Sequence, residues 1–206
     1  NVSTFGPGWA NYAFLSSSAG IGNWAYSTFK DRLYERTSGA KRGYFYYVDA
    51  AETQGMVAKL DISQACCAGT KLYLSAWVAN VNCQNKLLPN LNFEVIALNG
   101  SGEEVIVTTF TTGNFGDAST STNNKWMQVF FNFEIPRGTN YKNLYLKVIN
   151  NQVSSAGDDF IIDDIVAYME KPAIEAEQTA LLCGQTAQVK VHIDYNQMLK
   201  LTALEG

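Results

Sequence analysis

Histidine is nearly missing from this chain: His192 is its one copy in 206 residues. Any Ser-His-Asp or Cys-His arrangement would have to recruit that residue from the C-terminal segment. No HExxH, GxSxG or Walker sequence occurs either. Runs of positive charge are absent too. Lys and Arg number 15 against 19 Asp and Glu, the net charge is −4, and no basic run exceeds two residues. This balance argues against nucleic acid and anionic membranes as partners. No apolar run approaches the ~20 residues of a membrane-spanning helix, which argues against direct membrane insertion. Asn1 opens directly into Ser, Gly and Pro, so the chain reads as a mature or trimmed product.

Cysteine is sparse and poorly spaced for bridges. Cys66 and Cys67 precede an expected strand at about residues 70–80, and Cys83 lies beyond its other end. Ten extended residues cover roughly 33 Å, against a disulfide Cα spacing of about 5.5 Å. With Cys183 far downstream, no CxxC zinc pattern forms, and free thiols are the expectation.

What the chain has is apolar and aromatic residues in alternation. It is 47% hydrophobic, with 11 Tyr, 11 Phe and 4 Trp. Period-2 patterning recurs at 44–49, 56–62, 70–81, 91–98, 104–111, 126–135, 144–149 and 160–169, and no long amphipathic helix stands out. Met56, Ala58, Leu60 and Ile62 share one expected face; Met127, Val129, Phe131, Phe133 and Ile135 share another. The turn cluster Asn99-Gly100-Ser101-Gly102 joins two of these strands. The pattern predicts an all-β fold: a two-sheet antiparallel β-sandwich of Greek-key or jelly-roll type. Composition shifts at Glu170-Lys171-Pro172. Residues 1–171 are expected to form the sandwich. Residues 172–206, with strand-like runs at about 178–183 and 188–195 but too few to fold alone, are expected as a short C-terminal β segment: a partial second domain or a tail on the first.

The strand Phe160-Ile161-Ile162-Asp163-Asp164-Ile165-Val166-Ala167-Tyr168 holds two adjacent carboxylates inside an apolar run. Such charges must be satisfied by N–H groups, a basic side chain or a metal ion. Strand alternation would send Asp163 and Asp164 to opposite faces.

Four segments occur in an order that resembles jelly-roll domains of the carbohydrate-binding-module and galactose-binding-like group. They are Gly43–Ala50, Gly69–Val78, Trp126–Pro136 and the Ile162-Asp163-Asp164-Ile165 strand. The N-terminal Phe5-Gly6-Pro7-Gly8-Trp9 and Gly20-Ile21-Gly22-Asn23-Trp24 are similar to stretches of large bacterial surface proteins. The resemblance implies a non-catalytic binding or adhesion module, extracellular or at the cell surface, with the periplasm also open to it. Its partners would be a glycan or cell-surface polysaccharide and other domains of the same parent chain. It also implies a structural calcium at Asp163, with Asp164 second. The alternatives are a spacer domain without a small ligand and, third, a glycoside hydrolase. Asp49, Glu94, Glu104 and Glu134 all lie on expected strands, and the carboxylate spacing that matters for hydrolysis is spatial.

A sugar site needs aromatic faces beside planar polar groups. The strand sides opposite the aliphatic stripes collect Tyr73, Trp77, Glu94, Gln128, Phe130, Asn132, Tyr145 and Lys147. These are the expected ligand-binding residues, unless the N-terminal segment covers them. Trp9 and Trp24, in Gly-rich stretches, are the loop alternatives.

Overall fold

A computed structural model describes residues 12–50, 53–62, 68–84, 87–116, 125–139, 141, 143–153, 157–176 and 191–202, with side chains described through residue 169. Ten strands and one short helix lie in this part: β1 Tyr12–Leu15, α1 Arg32–Arg36, β2 Phe45–Val48, β3 Gly55–Asp61, β4 Lys71–Asn80, β5 Asn90–Leu98, β6 Glu104–Asn114, β7 Met127–Glu134, β8 Leu144–Asn150, β9 Phe160–Ala176 and β10 Val191–Thr202. Two antiparallel sheets form a sandwich. One has the order β1-β2-β9-β4-β7, with β10 also paired to β9; the other has the order β3-β8-β5-β6. From β2 to β9 the chain crosses between the sheets at nearly every connection, which is the jelly-roll winding of two Greek keys.

Alternation explains the core. In β4, Leu72, Leu74, Ala76 and Val78 are buried and meet Leu91, Phe93, Val95 and Ala97 of β5 and Leu144, Leu146 and Val148 of β8. Met56 departs from its expected inward face. The β3–β8 register shifts between Met56 and Ala58. The bulge turns Met56 outward, where it is exposed, while Val57 packs on the core.

A second, smaller core lies on the opposite face of the six-stranded sheet. Ala25, Tyr26 and Phe29 bury Phe45, Tyr47, Ala79, Val81 and Ile161 from outside. The N-terminal segment is pinned there by Ser18, whose hydroxyl donates to the Tyr26 carbonyl at 2.5 Å and accepts from the Phe29 N–H at 3.0 Å. Asp31 caps α1, accepting from Tyr34 N–H at 2.8 Å. The same oxygen accepts from Gly43 N–H at 2.8 Å, and a Cβ at Gly43 would sit 3.2 Å from it. Glycine permits that approach.

Pro172 does not break the chain. Strand β9 runs through it, and β10 pairs back along β9 from Val191↔Ala176 to Thr202↔Val166. The register shifts between Asp194 and Gln197, opposite Pro172, so a bulge sits where the ladder loses a donor. The expected strand at 178–183 lies outside the described residues. Cys83 is a free, half-buried thiol; Cys66, Cys67 and Cys183 lie outside the described residues.

Among the described side chains, which end at residue 169, two buried cores already form, and the larger spans both sheets. Deleting residues 173–206 is therefore expected to leave one cooperative thermal transition. Insoluble or non-cooperative truncated protein would show that β10 is integral to the sandwich.

Candidate functional site

The eight outward-facing residues named from the sequence do not share one surface. Glu94, Tyr145 and Lys147 belong to β5 and β8, on the outer face of the four-stranded sheet. They join a charge network there. Glu104 accepts from Lys147 at 2.5 Å and from Lys59 at 3.0 Å, and Lys59 lies 4.1 Å over the Tyr145 ring. Hydrogen bonds from Lys147 and then Lys59 hold the Glu104 carboxyl below its ordinary range. Glu94 stands across from Lys147 in the ladder. Alternation tells which side of a strand is wet but not which sheet the strand joins, hence the mixed list.

Tyr73, Trp77, Gln128, Phe130 and Asn132 do come together, on the outer face of the six-stranded sheet. The β4–β7 register sets Tyr73 opposite Asn132, Ser75 opposite Phe130 and Trp77 opposite Gln128. Tyr73 and Phe130 therefore meet on the diagonal. Their rings are 6.2 Å apart and 24° from parallel. Phe130 is 54% exposed, and Gln128 and Asn132 are exposed beside it. Tyr168 of β9 flanks Tyr73 on the other side. The result is an aromatic ledge with amide groups along one border.

Trp77 is not part of the open ledge. The Arg32 guanidinium stacks on its ring at 3.7 Å. Trp24 packs on the smaller core as well, and Trp9 lies outside the described residues. The N-terminal segment thus covers one half of this face and leaves the other half open. Helix α1 and strand β1 both went unread in the sequence: five and four residues carry too little periodicity to announce an element. For α1 the one local signal is Asp31 three residues ahead of Tyr34.

Asp163 and Asp164 do not point to opposite faces. The β4–β9 register shifts between Ser75↔Val166 and Trp77↔Asp163, which inserts one extra residue in β9. Asp164 takes φ of 48° in this bulge. Both carboxylates then face α1. Asp163 Oδ2 accepts from Arg32 N–H at 2.7 Å, and its Oδ1 accepts from Asp164 N–H at 2.7 Å. Asp164 forms an ion pair with Arg36. Ca²⁺ takes 6–8 oxygens, whereas these carboxylates already serve two N–H groups and a guanidinium. Among the described residues, no three His, Cys, Asp or Glu side chains converge on a metal position. The residues present do not fit the expected calcium centre.

Burial, followed by the nearby Asp31 charge, pushes the Asp163 carboxyl up to about 6, against hydrogen bonding from Arg32 N–H.

No protein-family model matches the chain, and no curated protein is similar to it in sequence. Solved structures of similar fold include a cyclase from Fischerella sp. TAU, with TM-score 0.53 and 12% identity over 78% of this chain and 75% of that one. An apo cyclase from Fischerella sp. gives TM-score 0.53 and 11% identity over 79% and 74%. The xylan-binding domain CBM22-1 of Paenibacillus barcinonensis Xyn10C gives TM-score 0.39 and 11% identity over 62% and 73%. For the two cyclases, at these identities, the likeness is one of fold alone.

Two outcomes are expected for the aspartate pair. Melting curves in chelator and in excess calcium should coincide; a clear rise with calcium would restore the metal. The second concerns pH. The folded state holds the Asp163 proton up to about pH 6, and the unfolded chain releases it near ~4. The folded state thus binds more protons in that window, and this group's contribution to stability falls as pH rises through it. Thermal melts of wild type and Asp163→Asn should diverge across the window, with the wild type losing ground as pH rises. Parallel curves would refute the assignment.

Proposed function

We propose that this chain is a non-catalytic sugar-binding module and that the Tyr73–Phe130 ledge is its platform. The carrying observation is the pair of stacked rings on an open sheet face, with Phe130 exposed and amide groups of Gln128 and Asn132 beside it. A large exposed aromatic contributes little to its own fold. It does offer a flat apolar surface to the C–H face of a pyranose, while amides meet the hydroxyls. Glu94 and Tyr145 belong to the other face and are not part of this platform. Trp77 forms its inner border beneath Arg32 and takes no direct part in stacking. Asp163 and Asp164 act structurally, holding α1 beside the ledge. On this reading the ligand is a glycan met outside the cell, and the module serves a larger surface or secreted protein.

Phe130→Ala is expected to weaken glycan binding at least about tenfold, which is ~1.4 kcal/mol, while stability moves by less than about 1 kcal/mol, as for other exposed sites. A glycan array followed by titration calorimetry on both proteins measures this. Unchanged affinity in the variant, or no wild-type binding across a broad panel, would overturn the reading.

A further inference from the structure

A cleft of about 260 Å³ opens between the two sheets at their β1 and β3 edges, well away from the ledge's aromatics. Tyr12, Tyr46, Val48, Asp49, Met56 and Asn150 are among its walls. Its lip is aromatic: Tyr46 lies 5.5 Å from Tyr12 and 5.2 Å from Phe14, ring to ring. Tyr12 and Phe14 are both largely exposed. The Tyr46 hydroxyl donates to the Val57 carbonyl at 2.8 Å, tying β2 to β3 and fixing the cleft width.

One wall is acidic: Asp49 lines the cleft, and the buried Asp158 and Asp159 lie close enough to act on its carboxyl. Asp159 accepts from Ala50 N–H at 3.0 Å and Asn82 Nδ2 at 3.0 Å. Asp158 accepts from Asn150 at 3.0 Å through one oxygen; its other oxygen is buried without a hydrogen-bond partner among the described residues. The Tyr47 hydroxyl, in a side chain 6% exposed, is likewise unpartnered. It lies close enough to Asp49 and Asp159 that burial first, and then their charges, push it up. No Lys or Arg forms an ion pair with these three aspartates among the described residues.

We propose that this cleft is a second binding site, for a small organic ammonium ion: the ammonium group meets the Asp49 carboxylate, and an apolar ring lies along Tyr12, Tyr46 and Met56. Three carboxyl groups without a basic partner exclude an anion and leave a charge that a neutral sugar cannot answer. The carboxylates do not converge as a metal would require. Aromatic faces beside a carboxylate are, by contrast, the usual recognition set for alkylammonium ions.

The same chemistry makes binding pH-dependent. The groups that face Asp49 are Asp158 and Asp159 ahead of β9, and Tyr47 within β2; β8 contributes neutral Asn150. Burial first, and then Asp159, push the Asp49 carboxyl up to about 7. Asp49 must lose its proton to solvent as the ammonium enters, so binding strengthens as pH rises through that value.

Benzylamine, with benzyl alcohol as its neutral isostere, tests this on the full chain by calorimetry and NMR titration. Benzylamine is expected to perturb the cleft residues, with affinity at about pH 8 at least about tenfold above that at about pH 5.5, and with proton release near pH 7. Benzyl alcohol should bind weakly and without the pH dependence. Asp49→Asn should lose the discrimination between the two probes. Tyr12→Ala, at an exposed site, should fold normally and weaken benzylamine binding, so the proposal stays testable even if Asp49→Asn fails to fold. Equal binding of both probes, unchanged affinity in Tyr12→Ala, no binding at about 10 mM benzylamine, or shifts confined to the Tyr73–Phe130 ledge would each overturn it. The glycan titration is independent of all these arms.

Discussion

Strand β9 enters the sandwich with Phe160, Ile161 and Ile162 buried, the first and third in the larger core and the second in the smaller. It continues with Ile165, Ala167 and Met169 packed in or on the larger core. A regular strand cannot do both. From Ile162 inward, strict alternation would place Asp164 in the core and Ile165 outside. A single extra residue resolves the conflict. Asp164 adopts a left-handed backbone, which costs about 1–2 kcal/mol for most L-residues and less for Asp. The alternative is a carboxylate inside the larger core, which is far more costly. The bulge is stabilised from outside, by the N–H of Arg32 and the guanidinium of Arg36. Helix α1 and the bulge therefore require each other.

The same contact sets the limit of the open face. Arg32 donates its N–H to Asp163 and lays its guanidinium on Trp77. On the Trp77 side of this line the sheet is apolar and covered; on the Tyr73 side it is amphipathic and open. The opposite sheet needs no such cover. Its outer face carries Lys59, Glu94, Glu104, Tyr145 and Lys147, which satisfy one another and water. One sandwich thus presents three surfaces of different character: a buried apolar half-face, an aromatic ledge and a charged face.

Much of the fold was legible because period-2 alternation needs only local residue order. Eight strands fell where alternation put them, and the sandwich followed from short strands and turn clusters. The ledge was legible in part. Tyr73, Gln128, Phe130 and Asn132 do lie side by side, because β4 and β7 pair. Glu94, Tyr145 and Lys147 were grouped with them for want of any local mark of sheet membership, which depends on contacts distant in sequence. Met56, Asp163 and Asp164 illustrate the other limit. A bulge reverses facing downstream of one residue, and nothing in Met56-Val57-Ala58 announces it. The two aspartates did signal a charge in need of a partner. Their partners lie about 130 positions away in a five-residue helix, beyond the reach of pattern. The cleft at Asp49 was hidden for the same reason: its walls come from β1, β2, β3 and β8.

The unequal size of the two cores has a consequence for how the molecule opens. Among the described residues, the larger core unites both sheets through some twenty buried side chains, whereas the smaller rests on eight, two of them alanine. Free energy of local opening scales with the apolar contact that must be broken. Residues 17–31 can therefore lift as a unit while the sandwich stays closed, and amide protons such as those of Phe29 and Tyr26 will exchange through a subglobal route. Those of β4 and β5, such as Leu74 and Val95, wait for global unfolding. The protein is one sandwich by topology and two cooperative units by energy.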